Sequence, residues 1–514
     1  MMKKFYFPIL WALIAITILL LSACFSPWAG NEGTLTIRLG GNSNRAAINL
    51  EDGEQNTLAY TITLTDSDGK TESYDFPAGE TKATFKLNPG TYAVTVKGRG
   101  ERPSLYDNDD SFEPNFPDIM LRAYGEDDEV IIESGSSRSA SIQMFPAVEV
   151  SNEVQFIING VTTYDGTEPK KEYIFITNDI SLEEPVVVVD QNIELRAEKN
   201  IQIKKNYDGV LFEIERGTLT LGKEGLYGED NRFLHLSGLG TTNTSPLIRV
   251  SSGGKLIMHN ARISDNQAPS ANNSPGILVT GADAEFTMHD GLIDHNVGND
   301  YGGGVSVIST GTFKMYGGEI SENEAINGGG GVYVDVDSRF EMSGDTARIR
   351  GNKATSSSSD GGGVHIYNGE FIMNGGIIGG KSVADQNKAF QGAGVALTGN
   401  SAKLTMNNKA SIAFNEADNG GGVFITNGGD VVLNNESSIV NNNALSKGGG
   451  VYISLDVDES FTMNDDSKVQ GNTTMTMDPL DGDAFYLLGS TDLDQYFIID
   501  VPDGNVSGNK IAET

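Results

Sequence analysis

Two patterns of hydrophobic and polar positions follow one another along the chain. Between residues 34 and 146, segments such as 34–39 and 81–87 place an apolar side chain on every second position. That alternation is the period of a strand with one buried face. Turn-forming residues, for example at 66–69 and 88–90, separate the segments. Several short strands at this spacing predict a small β-sandwich over residues 34–146.

From residue 147 onward the pattern becomes a repeat of 27 to 33 residues. Each unit contains a glycine-valine cluster such as GGGVYV, then F-x-M, then I-x-x-N. Side chains two positions apart lie on the same face of a strand. Because each coil contributes one copy, equivalent side chains of neighbouring coils are expected to stack ~4.8 Å apart. The predicted core ladder consists of Phe286, Phe313, Phe340 and Phe371, with Met288, Met315, Met342 and Met373. Methionines can also bind copper or haem iron, but the strand spacing and the neighbouring phenylalanines favour apolar packing.

A column of asparagines ends the repeat unit. Each stands three residues after an isoleucine or valine, and stacked asparagines at a buried corner can hydrogen-bond to one another and hold coil on coil. The column consists of Asn266, Asn296, Asn323, Asn352, Asn415, Asn442 and Asn472. The coil that carries Ile377 and Ile378 is expected to interrupt the column, because it continues as Gly379-Gly380-Lys381.

These repeats resemble known families. Their coil length, core ladders and asparagine corners resemble the pectin-lyase-like right-handed parallel β-helix superfamily. The glycine-valine cluster and I-x-x-N resemble the GGAI and FxxN repeats of chlamydial polymorphic membrane proteins, and similar repeats fill spirochaete surface lipoproteins. The resemblance is strong over 245–475 and looser over 153–245, and we expect no autotransporter barrel after residue 475. The segment 87–98, LNPGTYAVTVKG, is similar to a hairpin of prealbumin-like sandwich modules.

The resemblance implies an all-β chain, a right-handed parallel β-helix preceded by a small β-sandwich of prealbumin or immunoglobulin type. The β-helix is expected to span residues 147–514, to contain about ten to twelve coils and to end in a C-terminal cap. Residues 150–175 and 475–514 are the candidates for covering the open coil ends against edge pairing.

The first residues have the pattern of an export signal. Lys3 and Lys4 precede an apolar stretch from residue 5 to 21, which ends in Leu21-Ser22-Ala23-Cys24. Those four residues resemble the lipobox of bacterial lipoproteins, which implies cleavage before Cys24 and a diacylglycerol on its thiol. Residues 1–23 would then be the signal peptide and 24–33 a lipidated tether that holds the protein on a membrane. The alternative is a signal-anchor helix with a chance cysteine.

The net charge of the chain bears on its expected partners, and the residue after Cys24 bears on its expected location in the cell envelope. The chain carries 36 Lys and Arg against 70 Asp and Glu, a net charge of −34, so we expect no nucleic acid partner. The expected partners are the membrane, through the lipid, and a host or matrix protein or a glycan. Phe25 after the cysteine gives no aspartate retention signal of the enterobacterial kind, which favours the outer membrane or cell surface within the envelope.

The sequence offers little that points to catalysis. The aspartate, histidine and Arg-Ile-Lys motifs of polygalacturonases are absent, and Arg348-Ile349-Arg350 is expected to be an outward pair around a core isoleucine. His259 and His289 hold the same repeat position, beside Asp290, and are expected to stack. They could form a metal pair, but Tyr316 continues the column, which favours a polar turn position. We therefore predict no catalytic residue, metal or cofactor.

The leading hypothesis is a lipid-anchored, non-enzymatic envelope or surface protein that presents a β-helix rod for adhesion or ligand recognition. One alternative is a polysaccharide lyase or glycoside hydrolase on the same fold, a hypothesis that rests on fold analogy alone. The other is a structural or self-associating envelope protein.

Overall fold

The computed structural model of the protein describes residues 32–38, 57–80, 82–101, 119–140, 142–151, 171–225, 234–240, 244–268, 274–454, 459–475, 483–488, 497–500, 506–507 and 512–513. In these residues the regular elements are β-strands and no α-helix occurs. The chain forms two compact units and passes from the first to the second between Ala147 and Val148. Most residues of the expected caps, 150–175 and 475–514, lie outside the described residues.

The first unit is built from two sheets. Its strands are β1 Gly33–Arg38, β2 Ala59–Asp66, β3 Thr71–Phe76, β4 Lys82–Leu87, β5 Gly90–Glu101, β6 Ile119–Ile132, β7 Ser137–Ala140 and β8 Phe145–Val150, the last of which continues into the second unit. One sheet has the order β4-β1-β7, and the other has the order β3-β2-β5-β6-β8. Alternate side chains such as Leu35, Ile62, Phe85 and Val94 come from both sheets and form one buried core. The predicted small β-sandwich is confirmed.

The second unit is a parallel β-helix, as predicted. We number its four sheets 1 to 4, with the strands given in the next two paragraphs. Each complete coil passes through sheet 1, sheet 2, a short sheet 4 and sheet 3 in that order. Every strand pairs in parallel with the equivalent strand of the next coil. Among the described residues, sheets 1, 2 and 3 each contain twelve strands and sheet 4 contains eight.

Sheet 1 comprises Lys171–Ile176, Asn192–Arg196, Thr218–Leu221, Lys255–Met258, Glu285–Met288, Thr312–Met315, Arg339–Met342, Glu370–Met373, Lys403–Met406, Asp430–Leu433, Ser460–Asn464 and Phe497–Asp500. Sheet 2 comprises Ile180–Leu182, Ile201–Lys205, Leu234–Ser237, Ala261–Ser264, Leu292–Asp294, Glu319–Ser321, Arg348–Arg350, Ile377–Ile378, Ser411–Ala413, Ser438–Val440, Lys468–Gln470 and Val506–Ser507.

Sheet 3 comprises Val186–Val189, Phe212–Glu215, Ile248–Val250, Ile277–Thr280, Val305–Ile308, Val332–Val334, Val364–Tyr367, Val395–Thr398, Val423–Thr426, Val451–Ser454, Phe485–Leu488 and Ala512–Glu513. Sheet 4 comprises Gln267–Ala268, Val297–Gly298, Glu324–Ala325, Lys353–Ala354, Lys388–Gln391, Glu416–Asn419, Asn443–Lys447 and Thr473–Thr474.

Phenylalanine rings from four consecutive coils stack inside sheet 1. Their centroids are 4.6 Å apart between Phe286 and Phe313, 4.8 Å between Phe313 and Phe340, and 4.4 Å between Phe340 and Phe371. The methionines two positions later pair in the same register, and all eight side chains are fully buried. Burial of each such side chain contributes roughly 1.5–3 kcal/mol, so the ladder is a main source of stability for the coils.

The asparagines form a continuous hydrogen-bonded ladder at the corner between sheets 2 and 4. The side-chain nitrogen of Asn323 donates to the Oδ1 atom of Asn352 at 3.1 Å and to the carbonyl of Ile293, in the preceding coil, at 2.9 Å. The backbone N–H of Asn323 also donates to Oδ1 of Asn352. The same pattern recurs from Asn296 to Asn472, and these side chains are almost completely buried.

The expected interruption of this ladder at Gly379-Gly380-Lys381 is wrong. Asn387 takes the position, accepts from Asn352 at 3.2 Å and donates to Asn415 at 2.9 Å. It follows Ile378 by nine residues instead of three, so the eight residues 379–386 stand where the other coils have two. We call residues 379–386 the insertion loop.

The glycine clusters allow the chain to pass close to this ladder. Gly329 has a φ of 62°, which few side-chain-bearing residues adopt. A Cβ atom on Gly330 would lie 2.4 Å from the carbonyl oxygen of Lys353, and one on Gly331 would lie 3.0 Å from Nδ2 of Asn352. Gly330 and Gly331 are therefore required by close packing against the neighbouring coil, and Gly329 is required by its backbone conformation.

Candidate functional site

The residue directly before each of seven ladder asparagines has a left-handed backbone conformation. We call this set the corner column, and it consists of Asp265, His295, Glu322, Gly351, Phe414, Asn441 and Gly471, with φ between 54° and 66°. A side-chain-bearing residue in this region costs roughly 1–2 kcal/mol, and aspartate and asparagine tolerate it best. His295 and Glu322 therefore occupy positions where glycine would be less strained. Such strain is typical of functional positions.

A groove runs along this corner, and we call it the corner groove. Its cavity volume is about 800 Å³. One wall is formed by Asp265, His295, Glu322 and Gly351 of the corner column, and the floor includes Gln267, Val297, Glu324, Lys353 and Lys388 of sheet 4. Val383, Ala384 and Gln386 of the insertion loop form the wall at one end. The groove crosses four coil-to-coil steps at ~4.8 Å each, a length of roughly 19 Å.

A chain of charged contacts fixes His295 at the middle of the wall. Nε and Nη2 of Arg262 donate to the two carboxylate oxygens of Asp294 at 2.8 and 2.6 Å, and Asp294 is only 3% exposed. Nδ1 of His295 contacts Asp294 at 2.7 Å, and its Nε2 lies 3.1 Å from Oε2 of Glu322. The side chains of His295 and Glu322 are about half exposed, 49% and 54%. They are therefore positioned by the protein and open to the groove.

The floor adds charges of both signs. Glu324 and Lys353 are partners in neighbouring strands of sheet 4, and Lys353 is in turn the partner of Lys388. Nζ of Lys388 donates to Glu416 at 2.9 Å. With Asp265 and Glu322 on the wall, the lining residues carry three carboxylates and two ammonium groups. The groove is thus nearly balanced in charge, although the chain as a whole is strongly acidic.

Ion pairs and a backbone hydrogen bond hold the insertion loop at one end of the groove. Arg350 forms ion pairs with Asp385 of the loop and with Glu319, the latter at 2.9 Å. The backbone N–H of Gly351 donates to the carbonyl of Asp385 at 2.9 Å. Hydrogen bonding from Ser382 and the nearby Arg350 guanidinium lower the pKa of Asp385, so its carboxylate is ionised at neutral pH. These contacts fix the loop as a wall of the groove.

The histidine pair predicted from the sequence does stack. The rings of His259 and His289 are 4.8 Å apart with an interplanar angle of 13°, and Tyr316 continues the stack at 5.4 Å from His289. In later coils the same position holds asparagines, where Nδ2 of Asn407 donates to Asn374 at 2.9 Å. This arrangement fits the interpretation of a polar turn position.

Other sequence candidates are dispersed. Arg348 and Arg350 lie on either side of buried Ile349, as expected for an outward pair. The lipobox residues Leu21, Ser22, Ala23 and Cys24 lie outside the described residues. Within the described residues, no three His, Cys, Asp or Glu side chains are grouped so that they could hold a metal ion, and no helix is long and apolar enough to cross a membrane.

A second group of titratable side chains lies on the outer face of sheet 3. Tyr301 and Tyr333 stack at 4.7 Å, and the ring of His365 lies 5.4 Å from Tyr333. Burial lowers the pKa of His365 to about 3 and raises the pKa of Asp360 to about 7. Oδ1 of Asp360 and Nδ1 of His365 have no hydrogen-bond partner among the described residues. Of these four side chains His365 is buried, whereas Tyr301, Tyr333 and Asp360 are partly exposed.

The corner groove was not predicted from the sequence. Two signals were present: charged or aromatic residues in the corner column where Gly351 and Gly471 show that glycine fits, and the extra residues between Ile378 and Asn387. Neither signal identifies a groove until the coils are stacked in register. Comparisons with protein-family models, with curated proteins and with solved structures found no match to this chain.

Proposed function

We propose that this chain is an exported lipoprotein of the cell envelope, anchored through Cys24 at the outer membrane or cell surface, whose β-helix recognises a ligand without catalysis. The corner groove is the proposed recognition site. The lipobox-like residues 21–24, directly after an apolar stretch, support the anchoring part of the proposal.

The observation that carries the recognition part is the contrast between inner and corner positions. Inner positions repeat from coil to coil, as in the phenylalanine stack, whereas the corner column changes from aspartate to histidine to glutamate across three neighbouring coils. A rigid scaffold with variable outward side chains is the usual arrangement of a binding surface on a repeat protein. The side chains of Asp265, His295 and Glu322 are about half exposed, which leaves them accessible to a ligand.

Anchoring is tested by Cys24→Ala in the full-length chain, expressed in a diderm bacterium with radiolabelled palmitate. The variant is expected to incorporate no label and to lose its processed, membrane-partitioning form, because no other thiol exists in the chain. Ser26→Ala is the matched control and is expected to label like the wild type. Processing and membrane partitioning of the Cys24→Ala variant at the wild-type level would contradict the proposed lipid anchor.

Recognition without catalysis is tested with the full-length chain in detergent on a panel of linear glycans and matrix proteins. Retention and the release of new reducing or unsaturated sugar ends are scored in the same assay. Retention without product is the expected result. Product formation would contradict the non-enzymatic function and favour a polysaccharide lyase or a glycoside hydrolase.

A further inference from the structure

We propose that the corner groove binds an extended oligopeptide that carries a basic group towards one end and a carboxylate towards the other. This inference rests on the proposed function and specifies the ligand class of the same site. It is carried by the order of the charges along the groove, by the unpaired charges of the groove floor and by the apolar side chains of the lining.

Charges of opposite sign are separated along the groove. The carboxylates of Asp265, Glu322 and Glu324 lie in the first three coils of the groove. The ammonium groups of Lys353 and Lys388 lie in the last two. At ~4.8 Å per coil, the centres of the two groups are roughly 10 Å apart. A ligand of one charge sign would meet attraction at one end and repulsion at the other, whereas a ligand with both signs in the matching order would meet attraction at both ends.

Two charged side chains of the groove floor have no counter-ion. Glu324 and Lys353 are register partners in neighbouring strands, yet neither side chain forms an ion pair with the other or with another described residue. Lys353 is also the register partner of Lys388, and like charges directly opposite each other are unfavourable. Lys388 is paired with Glu416 at 2.9 Å, so Lys353 is the cation left unneutralised in this part of the floor. A ligand carboxylate at Lys353 and a ligand cation at Glu324 would supply both missing partners.

The rest of the lining favours a peptide as the carrier of the two charges. Val297 lies in the floor, and Val383 and Ala384 lie in the end wall, where Val383 is 74% exposed. An extended peptide advances ~3.3 Å per residue, so groups three residues apart match the separation of roughly 10 Å, and the side chains between them can contact the valines. The strands that border the groove pair with a strand of the coil on each side, so side chains and not strand addition would hold the peptide.

The test uses the full-length chain in detergent and short peptides that differ only in charge. The zwitterionic probe is one lysine followed by three alanines with a free C-terminal carboxylate, and an uncharged dye on its amino terminus reports binding by fluorescence anisotropy. The cationic probe has the same sequence with an amidated C-terminus. The anionic probe has methionine in place of lysine. Cellopentaose with the same dye is the neutral glycan control.

Four variants of the chain locate the two charges of the peptide. Glu324→Gln and Lys353→Gln each remove one unpaired charge of the groove floor. Glu436→Gln and Lys403→Gln are the matched controls, because they remove the same charges from exposed positions outside the groove. None of the four side chains is buried, so all four variants are expected to unfold at the thermal midpoint of the wild type.

The wild type is expected to bind the zwitterionic peptide more tightly than either singly charged peptide, and added salt is expected to reduce this preference. Glu324→Gln is expected to weaken binding of the zwitterionic and cationic peptides about two- to fivefold, but not binding of the anionic peptide. Lys353→Gln is expected to weaken binding of the zwitterionic and anionic peptides by a similar factor, but not binding of the cationic peptide. The two control variants are expected to bind like the wild type.

Several results would overturn the inference: equal binding of the three peptides, binding of cellopentaose alone, or binding of the zwitterionic peptide that neither groove variant weakens. A variant that weakened all three peptides equally would show a structural effect and not the proposed charge contacts. Absence of binding to every peptide would also overturn the inference. Retention of a glycan or matrix protein in the panel described above would then leave the proposed function standing, and retention of nothing there would refute both.

Discussion

The buried asparagine ladder makes a quantitative prediction at Asn352. Its Oδ1 atom accepts the backbone N–H of Asn323 at 3.0 Å, and its Nδ2 atom donates to the carbonyl of Ile320 at 2.9 Å. Asn352→Ala removes both contacts in a corner where the residue is fully buried, so water does not replace them. Each orphaned buried group costs about 1–3 kcal/mol, which gives a destabilisation of about 2–6 kcal/mol for the two groups together.

The matched control is Asn407→Ala, in the partly exposed asparagine stack at the turn that follows sheet 1. Asn407 donates to Asn374 and accepts from Asn434, both at 2.9 Å, but these groups are only partly buried and can bond to water instead. We expect its cost to stay below about 1.5 kcal/mol, the net value of ordinary hydrogen bonds.

Both variants are compared by urea unfolding followed by far-ultraviolet circular dichroism. Tryptophan fluorescence is unsuitable because the two tryptophans, Trp11 and Trp28, lie in the N-terminal segment and not in the β-helix. The free energy of unfolding of Asn352→Ala is expected to fall well below that of Asn407→Ala. Equal losses in the two variants, or a loss under about 1 kcal/mol for Asn352→Ala, would refute the argument that the buried ladder holds the coils together.

Two further predictions concern Phe340 and Asp360. Phe340→Asp places a charge between stacked rings 4.8 and 4.4 Å away, so we expect loss of cooperative thermal unfolding, and an unchanged midpoint would contradict the ladder. Burial raises the pKa of Asp360 from 3.8 to about 7, so the folded state prefers the protonated acid and loses stability as the pH rises from about 4 to about 7. Asp360→Asn is therefore expected to be more stable than the wild type at pH 8, by at most ~4 kcal/mol, with the difference vanishing near pH 4. Thermal midpoints measured across this pH range test the prediction. A difference that does not change with pH would refute the raised pKa of Asp360.

Periodicity made the β-helix predictable from the sequence. Phenylalanine and methionine stand two positions apart and recur once per coil, and stacking the coils in register buries all of them. The structure accordingly places Phe313 on Phe286 and Met315 on Met288. The alternating segments of the first unit specified a sandwich for the same reason. In both cases the signal is local, because a strand's period of two is visible within a few residues.

The tertiary structure decided what periodicity could not. Asn387 fills the ladder although it stands nine residues after Ile378, because the length of an insertion does not reveal where the chain re-enters the coil. Asp265, His295 and Glu322 are 27 to 30 residues apart in the sequence, and only stacking in register makes them one wall of a groove. The sequence by itself thus determined the repeated inner positions, because their spacing is visible within each repeat. The groove and the pKa of Asp360 depend on which side chains neighbouring coils bring close and on how much water they exclude.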